Sequence, residues 1–488
     1  MSQLQLSSLE ERLHRLETHL QRENPVLLEV VKAFRQLDQV THRLGLTEPN
    51  ESLASQVSWF PVVALLGTFS AGKSTFVNSY LGQRLQLTGN QAVDDKFTVV
   101  CYGPNEQPQV LPGLALDSDP RFPFYKISHQ IEEVSDGDAE RMDAFLQLKA
   151  CNSEAIRGKI LIDSPGFDSD EQRAATLAII EHIIDLADLV LVFFDARHPE
   201  PGAMQQTLKH LVGDVKDRPD FNKFMYILNQ VDATAREDNP EEVFAAWQRA
   251  LASQGLTAGR FYRIYDVASA LPIEDEALAA RFEAKRKVDA DEINMRLDRV
   301  EVERAYRVTG ALERTARAVR DDMMPTVREA RRWWKRRSLI LDAAAMGALL
   351  LVALGTSVAF GMWEGFSFTP PWTGLAEQFP FINWVLLAVL IALIAYLHLV
   401  LRRAASGQTV KHFGAKLEGN THRDWILNAI RKNTSGWMLA VADQPTGWGP
   451  LTRRKLDTVL ANAGRFIETL NDRFAVPSGE GDGGKKRG

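Results

Sequence analysis

Two long apolar runs late in the chain, Leu339 to Met362 and Phe381 to Leu401, constrain the fold more than any other feature. At a helical rise of 1.5 Å per residue they extend about 36 Å and about 32 Å, against a hydrocarbon core about 30 Å thick. Arg331, Arg332, Lys335, Arg336 and Arg337 precede the first run, and Arg402 and Arg403 follow the second. The connection between them carries Glu364 and Glu377 and no Lys or Arg. Such a bias puts both flanks, and with them both termini, on the cytoplasmic side of a membrane. Trp333, Trp334, Trp363, Trp372 and Trp384 stand near the boundaries, at the depth amphipathic rings favour. Asp342 and His398, near the cytoplasmic ends of the runs, read as snorkelling side chains. The expectation is a transmembrane hairpin over 338–403 with spans 339–362 and 381–401.

The remaining residues of this 488-residue chain are too many for one ordinary core. Leu9, Leu13, Leu16 and Leu20 recur at helical spacing, with Ser7 or Ser8 as a cap and Pro25 as a break. Leu27, Val31, Phe34, Leu37 and Leu44 form a second stripe, and both helices fall within 1–50. From Phe60 to about Ala270 the runs VVALLG, FTVVCYG, KILIDSPG, LVLVFFDA, KFMYILNQVD and FYRIYDVAS alternate with amphipathic stretches. That alternation predicts a three-layer α/β domain with a mainly parallel sheet over 58–271. Residues 272–337 are charged and helical in pattern, a solvated stalk. Residues 404–475 return to helix, with Leu456, Leu460, Phe466, Ile467 and Leu470 as packing positions, and the Gly-rich tail 476–488 reads as disordered. The net charge of −6 gives no basic field, which makes nucleic acid a poor partner. Cys101 and Cys151 form neither a disulfide framework nor a zinc spacing, and the first residues do not read as a signal peptide.

Gly67-Thr68-Phe69-Ser70-Ala71-Gly72-Lys73-Ser74 fits G-x-x-x-x-G-K-[ST] after a strand and opens a helix at Thr75. Glycines let the backbone wrap phosphates, and successive N–H groups face their oxygens. Lys73 adds a point charge, and the Ser74 hydroxyl can bind Mg²⁺. The nucleotide-binding candidates from this loop are Gly67, Phe69, Ser70, Ala71, Gly72, Lys73, Ser74 and Thr75. After the strand KILI comes Asp163-Ser164-Pro165-Gly166, with Asp163 as a second metal-side group and Gly166 N–H facing the γ-phosphate. Asn229-Gln230-Val231-Asp232 resembles the base-reading N-K-x-D of GTPases, in which the Asp accepts two hydrogen bonds from guanine. Gln230 replaces the usual Lys, so the stem over the base is shorter and uncharged. A last base-contacting loop is expected near Asp266-Val267-Ala268-Ser269.

The runs GTFSAGKSTFVNSYLG, IDSPGFDSDEQR, ADLVLVFFDARH and LNQVD resemble the dynamin superfamily, and are especially similar to the Eps15-homology-domain ATPases and the bacterial dynamin-like proteins. The likeness covers residues 60–270 well and the helical remainder in outline. It implies a Mg²⁺-dependent GTPase that forms a homodimer or higher oligomer through its G domain and stalk, and acts on a lipid bilayer, with the bacterial inner membrane as its location. It also implies that Ser70 orients the attacking water, which makes Ser70 and Lys73 the leading catalytic candidates. Relatives carry a switch I Thr in a stretch like G-P-x-x-T-T-D, where this chain reads Gly89-Asn90-Gln91-Ala92-Val93-Asp94-Asp95. Thr98, at the start of a strand, is the nearest substitute and the third catalytic candidate. Either Thr88 or Thr98 shifts into place, or an Asp carboxylate binds the metal, or hydrolysis is slow. A slow-cycling membrane-tethered switch or scaffold, and an adenine-nucleotide user, stand as the alternative readings.

Overall fold

The computed structural model describes residues 2–88, 96–122, 142–166, 173–197, 221–236, 239–253, 256, 260–373, 379, 381–434 and 444–474. Two compact units emerge, one built from 1–32, 54–310 and 465–488, the other from 33–53 and 311–464.

The first unit holds an eight-stranded sheet in the order β3-β4-β2-β5-β1-β6-β7-β8. Its strands are β1 Val62–Gly67, β2 Phe97–Tyr102, β3 Gln109–Pro112, β4 Leu146–Cys151, β5 Ile160–Asp163, β6 Leu189–Asp195, β7 Phe224–Asn229 and β8 Arg260–Arg263. From β5 to β8 the pairing is all parallel, and β2 runs parallel to β4. The joints β2/β5 and β3/β4 are antiparallel, so the sheet is mixed, with parallel pairs predominating. All six expected strands are present, and β3 and β4 were not anticipated.

Side chains alternate across this sheet as the pleat requires. Val63 and Leu65 of β1, Leu189, Leu191 and Phe193 of β6, and Met225 and Ile227 of β7 face one core. That core also takes Val77 and Leu81 from helix Lys73–Leu81, and Ile293, Leu297 and Val300 from the long helix Glu276–Ala318. On the opposite face Phe194 and Phe261 meet Trp247 of helix Pro240–Ser253, at centroid distances of 5.4 and 5.7 Å. Helices on both faces make the expected three layers. Below the sheet, Asp188 accepts from Val62 N and is paired with Arg304 and Arg307 of the long helix at 2.7 and 2.6 Å.

Helix Ser2–Glu23 begins upstream of Ser7 and Ser8, so neither caps it: the leucine stripe simply starts later than the helix. Leu13, Leu16 and Leu20 are buried, as are Leu27, Val31, Phe34, Leu37 and Leu44 in helix Val26–Leu44. In the C-terminal helix Pro450–Phe474 Leu456 and Leu470 are buried, while Leu460, Phe466 and Ile467 are half-buried and Val459 and Ala463 take the inner positions. The tail 476–488 lies outside the described residues.

In the second unit, helix Met324–Ala359 follows a π-turn at Val319–Met323. Pro325 explains that turn, since it has no N–H to donate four residues back and its ring crowds that carbonyl. Helix Met324–Ala359 and helix Phe381–Lys416 each contain a stretch long and apolar enough to cross a membrane, none of it buried. At their basic ends Trp334 donates to the Arg402 carbonyl, and the Arg402 guanidinium sits 4.9 Å over that indole. Trp333 stacks on His412, and Lys416 pairs with Glu329. Asp342 and His398 do not reach for the interface separately. They meet between the helices at 2.9 Å, because each then has a polar partner within an apolar wall.

Candidate functional site

The phosphate loop leaves β1 at Gly67 and enters helix Lys73–Leu81 through Gly72, whose left-handed backbone (φ +82°) turns the chain into the helix. A side chain at Gly72 would overlap Asn229 Nδ2 at 2.2 Å, so this glycine is required by both conformation and space. Ser70 also has positive φ, at 58°, a conformation a non-glycine residue holds only where its surroundings enforce it. Its surroundings here are the Asn229–Asp232 segment. Gln230 Nε2 donates to the Ser70 carbonyl at 2.5 Å, and Asn229 Nδ2 donates to the Ala71 carbonyl at 2.9 Å. Gln230, itself at φ 61°, thus braces the phosphate loop through its side chain.

Lys73 is buried, and its ammonium donates to the carbonyls of Gly67 and Thr68 at 2.9 and 3.0 Å, inside the curve of the loop. Ser74 Oγ donates to Asp163 Oδ2 at 3.1 Å, which brings the two metal candidates together from β5 and the loop helix. Pairing of Leu65 with Asp163 across β1/β5 fixes that meeting. The next turn carries Gly166 against Phe69, where a Cβ would lie 2.8 Å from the Phe69 Cα. Phe69, Ser70, Ser74 and Thr75 are half-buried and Ala71 is buried. A hydroxyl and a carboxylate are hard oxygen donors, the set Mg²⁺ takes when phosphates and water complete its shell. Among the described residues no group of three or more His, Cys, Asp or Glu side chains could hold a metal ion.

Asp232 is buried and its Oδ2 accepts from Leu271 N at 2.8 Å, so the segment after β8 docks beside this candidate carboxylate. The expected Asp266–Ser269 loop lies in that segment as an exposed turn, closed by Ser269 Oγ to Asp266 Oδ2 at 2.8 Å. Arg197, just past β6, was not anticipated. Hydrogen bonds from its guanidinium to Asp195 push it further up, with the Asp195 and Asp232 charges adding to the effect despite partial burial.

Thr98 lies inside β2, almost fully buried, and its hydroxyl accepts from Gln147 Nε2 at 2.7 Å. Its Cα is the cross-strand partner of Asp163, which sets it beside the metal candidates on the sheet. Thr88 is exposed at the edge of the switch I segment Gly89–Asp95, which lies outside the described residues. Gln86 and Lys149 were also missed. Gln86 Nε2 donates to Asp163 Oδ2 at 2.9 Å, and Lys149 Nζ donates to Gln86 Oε1 at 2.6 Å.

Comparison with known proteins agrees with this geometry. Residues 63–231 match the dynamin family model. EH domain-containing protein 1 of Homo sapiens and of Bos taurus are each 28% identical over 182 residues, and EH domain-containing protein 3 of Homo sapiens is 27% identical. These matches take in 35% of this chain and only 31% of the relatives' own length. Two solved structures of an oligomerised bacterial dynamin pair align over 94% and 96% of this chain and 78% of theirs. Their identity is 12% and their TM-scores are 0.31 and 0.32, too low to relate the folds. Over residues 63–231, the segment that carries the phosphate loop, Asp163 and Asn229, the chain is similar to the dynamin family.

Proposed function

We propose that this protein is a membrane-anchored, dynamin-like GTPase that binds and hydrolyses GTP with Mg²⁺ and couples the cycle to membrane tethering or remodelling. The observation that carries the reading is the convergence of three loops at one end of the sheet. The phosphate loop, the Asp163–Gly166 turn and the Asn229–Asp232 segment all touch, through Ser74 to Asp163 and through Asn229 and Gln230 to the loop carbonyls. The two apolar helices supply the anchor, with both termini cytoplasmic and a bacterial inner membrane as the setting.

In this mechanism the loop N–H groups and the start of helix Lys73–Leu81 hold the phosphate oxygens. Lys73 exchanges its carbonyl partners for the β- and γ-phosphates, and its charge offsets the negative charge that spreads over the transferred group. Ser74 and Asp163 would hold a Mg²⁺ ion brought by the nucleotide, which would supply Lewis acidity to the phosphates. Ser70, held in its unusual backbone conformation by Gln230, orients the attacking water. Asp232 reads the guanine edge with its two acceptor oxygens. Homodimers or larger oligomers through the G domain and stalk complete the cycle.

The slow-cycling switch or scaffold has one specific observation in its favour. Gln230 is committed to the Ser70 carbonyl, and its side chain is shorter than the lysine that would cover the base. Use of an adenine nucleotide stands beside it for the same reason. A nucleotide panel on the purified full chain tests all three. Tight GTP binding with Mg²⁺, lost in Lys73→Ala, supports the proposal; indifference to GTP and ATP alike overturns it. Membrane work driven equally by GTP and by a non-hydrolysable analogue would make the protein a switch.

A further inference from the structure

Gln86 is held more completely than a chance core residue needs to be. Asn78, on the helix that follows the phosphate loop, clamps its backbone from both sides: Asn78 Oδ1 accepts from Gln86 N at 2.8 Å, and Asn78 Nδ2 donates to Gln86 O at 2.9 Å. The side chain is buried, with 1% of the residue exposed, and runs between Lys149 of β4 and Asp163 of β5. Its amide orientation is unambiguous. Lys149 can only donate and an ionised Asp163 can only accept, so Oε1 must face the ammonium and Nε2 the carboxylate. The oxygen that takes the Gln86 donor, Asp163 Oδ2, is the same one that accepts from Ser74.

We propose that Gln86, braced by Lys149, is a positioning residue that fixes the Asp163 carboxylate and through it the Ser74 hydroxyl for the divalent cation of the bound nucleotide. This rests on the nucleotide-site reading given above and names a part of that site outside every motif. A carboxylate on a buried strand end has no solvent to hold its rotamer, so neighbouring donors set its direction. The Gln86 amide does this while relaying the Lys149 charge toward the carboxylate.

The test uses the full chain in detergent, with a fluorescent GTP analogue titrated at controlled free Mg²⁺ and in excess chelator. Gln86→Met keeps the length and removes both side-chain hydrogen bonds; Lys149→Met removes the brace and leaves the Gln86 amide in place. Gln86→Met is expected to bind the analogue in chelator as the wild type does, and to need at least about tenfold more Mg²⁺ for the magnesium-dependent gain, as loss of an outer-shell partner typically costs. Lys149→Met should move the same way by less. Hydrolysis should recover in either variant at saturating Mg²⁺. An unchanged Mg²⁺ midpoint in folded Gln86→Met overturns the inference and leaves the nucleotide site standing. Failure of the wild type to bind the analogue at any Mg²⁺ concentration would instead remove the site itself. A variant that does not fold makes Gln86 a core residue and equally overturns the positioning role.

Discussion

Glycine 72 and glycine 82 bracket the helix that follows the phosphate loop, and both have left-handed backbones, at φ +82° and +65°. They differ in their surroundings. A Cβ at Gly82 meets nothing within 4 Å, whereas at Gly72 it meets Asn229 Nδ2 at 2.2 Å. Gly82→Ala therefore costs about 1 to 2 kcal/mol of backbone strain and leaves nucleotide affinity within twofold. Gly72→Ala carries the same strain and also displaces the Asn229 amide from the Ala71 carbonyl, so GTP affinity should fall by more than about tenfold; 1.4 kcal/mol already amounts to that factor. Isothermal titration of the two variants with GTP checks the contrast, and equal losses in both would refute it. The phosphate loop, Asp163 and Asn229 were legible in the sequence because each combines a rare residue type with a strand end. Gln86 and Lys149 were not, since a glutamine before a loop and a lysine in an alternating strand look like solvated positions. Only the antiparallel joint between β2 and β5, which brings β4 and its Lys149 near the metal side, turns them inward. Gln230 was legible as a departure, but its contact with Ser70 needed the folded loop.

Elements show the same division between pattern and topology. Five of the six strands read from the sequence are mostly apolar or end in a site residue, and the sixth, β8, is the short mixed run RFYR. By contrast β4, LQLKAC, is interrupted by Gln147 and Lys149, and β3, QVLP, is an exposed edge strand ending in a proline. Ion pairs fasten the helices to this sheet. Asp188 has no exposed side-chain area and receives Arg304, Arg307 and Val62 N. Asp188→Ala leaves a buried guanidinium without its partner, so urea unfolding should show a loss of about 3 to 5 kcal/mol. At another edge Arg121 pairs with Asp119 at 2.7 Å and with Glu23, which ties helix Ser2–Glu23 to the end of β2 through the Tyr102 carbonyl. Burial would raise the Asp119 carboxyl, but the Arg121 hydrogen bonds and charge outweigh it and hold it below its ordinary value. Its stabilisation is therefore complete above that ordinary value and is lost as pH falls through the depressed one, with the unfolded state then binding the proton more readily. Asp119→Asn should destabilise by about 2 kcal/mol at neutral pH. The gap from wild type should begin to narrow below about pH 4, where the unfolded carboxyl protonates first, and close only below the depressed folded value. Urea midpoints between neutral and acid pH measure this; a gap that persists in acid would assign the effect to packing.

For the whole molecule the decisive quantity is how the catalytic domain and the apolar helices share one chain. Clusters of arginine at the near ends of both helices, and aromatic residues Trp363, Phe366, Phe368 and Trp372 around the exposed turn that joins them, give the hairpin a polarity. In sealed vesicles carrying the protein in one orientation, a cysteine placed at Phe366 and one placed at Glu418 should be labelled from opposite sides by an impermeant thiol reagent. Labelling of both from the same side would remove the spanning arrangement and leave an interfacial anchor. In the proposed function a two-span anchor would confine the nucleotide-binding domains to a plane. If the domains act in pairs, their encounter rate there rises with surface density, so GTP turnover per molecule should climb as the protein-to-lipid ratio increases at constant total protein. Diluting the same proteoliposomes in buffer should not lower it, because the local density is unchanged. A slow switch predicts a flat rate in both series, since one domain then completes its cycle alone. The two series separate pairing in the membrane from simple mass action in solution. Repeating the density series with Ser70→Ala, which keeps the loop and its Gln230 brace because that brace ends on the Ser70 backbone carbonyl, isolates the chemical step. Nucleotide affinity should stay within threefold while turnover falls by about a hundredfold, within the range removal of one transition-state donor costs. A Ser70→Ala protein that turns over GTP at the wild-type rate would take the hydroxyl out of the reaction.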